Sequence, residues 1–146
     1  MDPLEHARAI FAQAPFVADL GIEPTAVGEG RCETRLALKE RHLQHTGQVH
    51  AGVVTTMADH TAGAAAQSVL PKGWFAITAE LKLSLLRATR GQALACKAVV
   101  LKAGRALVFT EAEVYAIDDA AGEPVLVAKL SATMAVVQPA QSAQGR

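Results

Sequence analysis

Aromatic side chains are scarce: the 146 residues include one Trp, one Tyr and four Phe. With 51% hydrophobic residues, a core is still possible, but it must be built from Ala, Val and Leu. An excess of either charge is missing too. Lys+Arg and Asp+Glu each number 14, which leaves no electrostatic footprint for nucleic acid. Two cysteines, Cys32 and Cys96, stand far apart without C-x-x-C spacing. They read as small buried hydrophobes in a reducing compartment, so a cytoplasmic protein is expected. "MDPLEHARAI" has neither a basic stretch nor an apolar run, and no secretory leader is expected there. The apolar stretch Ala51–Leu70 is interrupted by Thr55, Thr56, Asp59, His60, Thr61, Gln67 and Ser68. It reads as a buried helix, not a membrane span.

One domain across 1–146 is expected, with an N-terminal helix within 1–14 and a frayed tail over 138–146. "PLEHARAIFAQA" sets Leu4, Ala7, Ile10, Phe11 and Ala14 on one helical face, and Pro15 closes it. Two strands follow around a Gly28–Gly30 turn, then the polar loop "KERHLQHTGQVH". The main helix runs from Ala51 to Val69 and ends at "LPKG". Three long strand regions complete the chain. "WFAITAELKLSLLRA" alternates, with Phe75, Ile77, Ala79, Leu81, Leu83 and Leu85 expected on one face. "GQALACKAVVLKAGRALVFTEAEVYAI" is a hairpin turning at Ala103–Gly104, and "VLVAKLSATMAVV" is the last strand. The class is α+β: one long helix wrapped by a curved antiparallel sheet.

Between Arg41 and Lys72 the only formal charge is Asp59. A carboxylate in apolar surroundings is costly unless something pairs with it or uses it. It could be structural, accepting bonds from Thr55 or Thr56. It could also activate water or attack a carbonyl. The helix start at Ala51 and Gly52 supplies unpartnered N–H groups at the positive end of the helix dipole, suited to an oxyanion. Eight residues of helix separate Ala51 from Asp59 by about 12 Å, too far for one carbonyl to touch both. A single site using both would be shared between two chains. His42, His45, His50 and His60 have irregular spacing and no cysteine among them, so no metal site is expected.

"VHAGVVTTMAD" resembles the H-G-G…D signature of hotdog-fold acyl-CoA thioesterases of the phenylacetate-degradation (PaaI-like) group, with His50 and Asp59 at the family's spacing. "ITAELKLSLLRATRG" and "VVLKAGRALVFTEAEV" are similar to the family's central strand and following hairpin, so the resemblance spans about residues 40–137. It implies a hotdog fold and hydrolysis of an acyl- or aryl-CoA thioester without a cofactor. Asp59 matches the catalytic general base or nucleophile, and Ala51 the oxyanion donor. Gln44 matches a second contact near the thioester, and Thr78 the residue that positions water. His50 and Gly52 belong to the same signature, His50 most simply orienting the loop. Arg87 and the turn Lys102, Ala103, Gly104 and Arg105 match segments lining the coenzyme A end; by default these cations are a solvated rim. The family commonly has glycine where this chain has Ala51; alanine keeps the N–H but adds a methyl group. The resemblance also implies a homodimer with shared sites, assembled further into a tetramer. Two alternatives stay open: a hotdog hydratase or dehydratase using His50 with Asp59, and a non-catalytic acyl-CoA binding protein.

Overall fold

A computed structural model describes residues 2–120 and 122–140; of the expected tail, 141–146 lie outside the described residues. The elements in chain order are α1 (Pro3–Gln13), α2 (Pro15–Leu20), β1 (Glu23–Gly28), β2 (Arg31–Ala37), a 3-10 turn (Glu40–His42), α3 (Ala51–Gln67), β3 (Phe75–Leu85), β4 (Ala93–Ala103), β5 (Leu107–Ile117) and β6 (Val125–Val137). The six strands form one antiparallel sheet in the order β1-β2-β4-β5-β6-β3. Helix α3 lies against its inner face and buries Val53, Val54, Met57, Ala58, Thr61, Ala62, Ala65 and Ala66. Opposite them are buried Cys32, Leu36, Leu94, Cys96, Val108, Val114, Leu130 and Met134. The alanines of α3 let the sheet approach closely, and each fully buried Leu, Val or Met contributes about 1.5–3 kcal/mol. The hotdog architecture and the α+β class expected from the sequence are the ones observed.

Curvature comes from bulges. Register shifts occur in β1–β2, β4–β5, β5–β6 and β3–β6, while β2–β4 pairs regularly. An extra residue bends its strand and increases the local twist. The bulge in β3 corrects the expected face. Thr78 pairs with Met134 and Glu80 with Thr133, so Ala79 has no opposite number. Ahead of it, Ala76 and Thr78 face α3, and beyond it Leu81, Leu83 and Leu85 do so. Phe75 and Ile77 instead lie on the outer face, 58% and 55% exposed.

The N-terminal segment also differs from expectation. Pro15 begins a second helix, because proline is tolerated at a first helical position. Ala7 and Phe11 are buried, whereas Ile10 is exposed. In the loop after β2, His42 is fully buried. Its Nδ1 accepts from Lys39 N–H at 2.9 Å, so its Nε2 carries the proton and donates to the Leu20 carbonyl at 2.7 Å. The loop is thereby fastened to the end of α2. The Val49 N–H donates to the Thr89 carbonyl, which fixes the entry to α3. At the other end of α3, Ser68 Oγ accepts from Gly30 N–H at 2.9 Å and donates to the Ala65 carbonyl. Among the described residues no helix is long and apolar enough to cross a membrane.

Candidate functional site

Helix α3 starts on a histidine cap. His50 is extended (φ −63°, ψ 136°) and its Nδ1 accepts from Gly52 N–H at 2.8 Å. That bond satisfies one of the free donors at the helix start. The Ala51 N–H finds no acceptor among the described residues. Of the two donors expected at this end, Ala51 is therefore available and Gly52 is occupied. One turn on, Thr55 and Thr56 donate back to the Ala51 and Gly52 carbonyls, each at 2.7 Å. Their hydroxyls are thereby used within the helix.

Asp59 is partly buried, two turns from the start. Thr78, on the neighbouring edge strand, donates from Oγ1 to Asp59 Oδ1 at 2.7 Å. Met134 Sδ lies 3.2 Å from the same hydroxyl, but a carboxylate is the stronger acceptor for its single proton. The bond fixes the carboxylate's orientation and leaves Oδ2 free of protein partners among the described residues. A base or nucleophile needs one constrained oxygen and one open one, and Asp59 has that arrangement. The bulge at Ala79 is what allows Thr78 to point inward on the same side as Leu81.

The expected site residues divide between two cavities. One, about 440 Å³, is lined by Phe16, Val17, Gly52, Thr55, Thr56, Asp59, His60 and Leu81. The other, about 390 Å³, brings together Gln44, Gln48, Ala51, Leu85, Arg87 and Thr89 with their neighbours. Within one chain the carboxylate and the free helix-start donor thus border different cavities, as the spacing along α3 required. Gln44 sits in a tight turn, its N–H donating to the Gln48 carbonyl, with Gly47 at φ +81°. That backbone region favours glycine.

The cations do not form one cluster. Arg87 lies just past β3, near the start of β4. Lys102 and Ala103 end β4, and Gly104 and Arg105 follow in the turn. A strand of eleven residues separates the two groups by about 30 Å. His50 and Asp59 likewise do not pair within a chain, being nine residues apart on one helix. With His42 committed to two hydrogen bonds and His50 to the cap, the histidines do not converge. Among the described residues no three His, Cys, Asp or Glu side chains group as metal ligands.

Sequence reasoning passed over the residues that shape the first cavity. Phe16 lies on the unexpected helix α2, and Leu81 comes round to Asp59 only through the bulge. His60, directly after Asp59, packs edge-on against Phe11 with ring centroids 4.3 Å apart. Burial pushes its imidazole below the usual range, with Asp59 opposing part of that effect. The adjacency of Asp59 and His60 was the available sequence signal.

Known proteins share this architecture. The sequence profile of the thioesterase superfamily matches residues 46–123, which include His50, Asp59, Thr78 and the 102–105 turn; Gln44 lies just outside. A candidate esterase of Halobacterium salinarum is 32% identical over 114 residues, covering 75% of this chain and 76% of that protein. A thioesterase family protein from Silicibacter pomeroyi superposes with a TM-score of 0.87 at 31% identity, covering 94% of this chain and 99% of that one. A mutant form of the phenylacetic acid degradation protein PaaI from Thermus thermophilus shares the fold at a TM-score of 0.71. It is 21% identical, over 83% of this chain and 97% of its own.

Proposed function

The chain belongs to the thioesterase superfamily, and from that premise we propose that it hydrolyses acyl- or aryl-CoA thioesters to the free acid and coenzyme A. The observation that carries the reading is Asp59, a lone carboxylate held by Thr78 at the wall of a cavity. Its free Oδ2 takes a proton from water as the water oxygen attacks the thioester carbonyl, or attacks that carbon itself to give an acyl anhydride that water then hydrolyses to the acid, restoring the carboxylate. The Ala51 N–H, at the positive end of α3, stabilises the oxyanion, with Gln44 beside it. The C–S bond then breaks and the thiolate leaves, to be protonated as coenzyme A. The reaction so written needs only water as co-reactant. The hydratase alternative would need His50 beside Asp59, and His50 Nδ1 is already engaged in the cap.

The active unit in this proposal is a homodimer. Strand β3 is an edge strand of eleven residues. An unprotected edge of that length is a template for pairing with another chain. Leu81 borders the Asp59 cavity and Leu85 the Ala51 cavity. A two-fold axis through Leu83 would set Leu81 of each chain against Leu85 of its partner. Each Asp59 would then meet the partner's Ala51 and Gln44. The same rotation reverses the strands and brings the partner's Lys102 and Arg105 level with Arg87, giving coenzyme A cations from both subunits. Phe75, Ile77, Leu107 and Phe109, exposed on the outer face, form the surface for joining two such dimers into a tetramer. A cytoplasmic location fits the two unpaired cysteines.

Complementation tests the reading. Asp59→Asn removes the carboxylate function. Ala51→Pro removes the donor N–H, and His50 already has the extended backbone that a following proline requires. Each variant alone should lose thiol release by about a hundredfold or more. Mixed dimers should regain one intact site from their two unmutated halves. Mixtures of folded, exchanging chains as inactive as the parents would refute the shared site. A fully active Asp59→Asn protein would refute the role given to Asp59 as base or nucleophile, and absence of thiol release from wild type would refute the hydrolase reading.

A further inference from the structure

Residues 42–50 form a closed loop whose two feet are held differently. The His42 carbonyl accepts from His50 N–H at 2.9 Å, Leu43 pairs with Val49, and the Gln44 N–H donates to the Gln48 carbonyl at 2.8 Å. The second foot leads straight into α3, which buries Val53 and Val54, and the Val49 N–H is fixed to the Thr89 carbonyl at 2.9 Å. The first foot enters the protein only at His42. Among the described residues from Lys39 to Gln48, it alone is buried. Gln44, which borders the Ala51 cavity, stands two residues beyond it.

A fully buried imidazole is a demanding choice, because each ring nitrogen must find a partner. Both do. Nδ1 accepts from Lys39 N–H at 2.9 Å, and Nε2–H donates to the Leu20 carbonyl at 2.7 Å. The two bonds differ in reach. The first closes the 3-10 turn on itself, three residues back. The second crosses to the end of α2, 22 residues away in sequence. Arg41 Nη2 reaches the same carbonyl at 3.3 Å, but from an exposed side chain. Leucine in place of His42 would fill the space, leave the Lys39 N–H without its acceptor and free the foot to swing about the start of α3.

We infer that His42 is a positioning residue: through its bond to the Leu20 carbonyl it sets Gln44 at the helix-start cavity, beside the Ala51 N–H. This inference rests on the hydrolase reading above and adds to it a residue that touches no substrate, since His42 lines neither cavity. A shift of about 1 Å in a group that meets the reacting atoms can cost roughly a hundredfold in rate. The loss on removing the ring should therefore fall on turnover.

The experiment is a pair of mutant cycles read by thiol release from acetyl-CoA, hexanoyl-CoA and phenylacetyl-CoA. His42→Leu, shown to be folded by circular dichroism, should lower kcat by about tenfold or more and leave KM within about threefold. His42→Gln can place its amide nitrogen where Nε2 stands, and should recover most of that loss. His42→Asn can accept from Lys39 but stops short of Leu20, and should not recover it. In a Gln44→Ala background His42→Leu should cost less than about threefold further, because the side chain it positions is gone. In a Thr78→Val background it should cost its full factor, because Thr78 acts at the Asp59 end. A purely structural role predicts the same factor in both backgrounds, and that result overturns the inference. Wild-type rates in folded His42→Leu, or equal losses in the Gln and Asn variants, overturn it as well. Should His42→Leu not fold, His42→Asn takes its place in both cycles. If wild type releases thiol and the cycles fail, this inference alone falls. No thiol release from any of the three substrates would overturn the hydrolase reading and this inference with it.

Discussion

Replacing Thr78 by valine removes one hydroxyl and almost nothing else. Valine keeps the branched shape and the strand preference, so the pairing of β3 with β6 should persist. What is lost is the 2.7 Å hydrogen bond to Asp59 Oδ1. Hydrogen bonds to a charged group contribute about 1.5–3 kcal/mol net, equivalent to roughly 10- to 150-fold in a rate or equilibrium constant. Asp59 is only partly buried, so solvent can replace some of that interaction, and the lower part of the range applies. Thr78→Val should therefore lower kcat/KM for thiol release by about 10- to 30-fold. Most of the loss should fall on kcat, because in the proposed reaction the bond orients the reacting carboxylate and does not hold the substrate. Thr78→Ser keeps the hydroxyl and should stay within a few-fold of wild type. Thiol release followed with a chromogenic thiol reagent measures both variants. A folded Thr78→Val protein within twofold of wild type would refute the idea that this bond prepares Asp59 for reaction. A valine variant whose loss lies wholly in KM would refute the orienting role specifically.

Other outcomes follow from the same geometry. Arg87→Ala should raise the apparent KM for acyl-CoA with kcat little changed, and Lys102→Ala with Arg105→Ala should do the same, since the proposed dimer brings that turn of one subunit level with Arg87 of the other. Added salt should mimic both losses, and an unchanged KM would return these cations to the solvated rim. Burial pushes the thiols of Cys32 and Cys96 from the ordinary 9.0 up to about 12, with their mutual repulsion adding for Cys32. The unfolded chain therefore loses these protons first. The associated stability is complete below pH 9 and is lost as pH rises from 9 to 12, by roughly 1 kcal/mol per pH unit for each thiol. Denaturant midpoints of wild type and of Cys32→Ala/Cys96→Ala should diverge across that window, and parallel curves would refute the assignment.

The helix and all six strands were legible because their signals are local. The apolar run of α3 ends at Pro71 and Gly73, and the β4–β5 hairpin shows its alternation on both sides of Gly104. The candidate carboxylate was legible for a related reason, since Asp59 is alone among neutral residues. Other features depend on information that a pattern does not carry. Pro15 signals the end of one helix and the start of another equally well, so α2 went unread. Phe75 and Ile77 continue the apolar alternation of β3 because the outer face there is apolar as well, and the pattern concealed the bulge. Arg87 and Lys102 are fifteen residues apart in sequence, but most of that interval is extended strand, which carries them to opposite ends of the sheet. The edge-on packing of His60 against Phe11 exists only once the N-terminal helix has been brought against α3.

The bulge at Ala79 places an unusual demand on the chain. Its side chain has no assigned contact, so many residues could stand there. The spacing is what matters. Thr78 and Leu81 are three positions apart, an odd step that a regular strand would place on opposite faces, and the extra residue between them is what turns both toward α3. Removing Ala79 would leave Thr78 opposite Met134 and Glu80 opposite Thr133, with no side chain turned over. What a deletion would take away is the bend and added twist that a bulge gives its strand. Position 79 is therefore one where the letter carries little and the residue itself carries shape. A library of substitutions would pass over it as neutral, while a single-codon deletion would straighten the edge strand between the hydroxyl and the cavity wall.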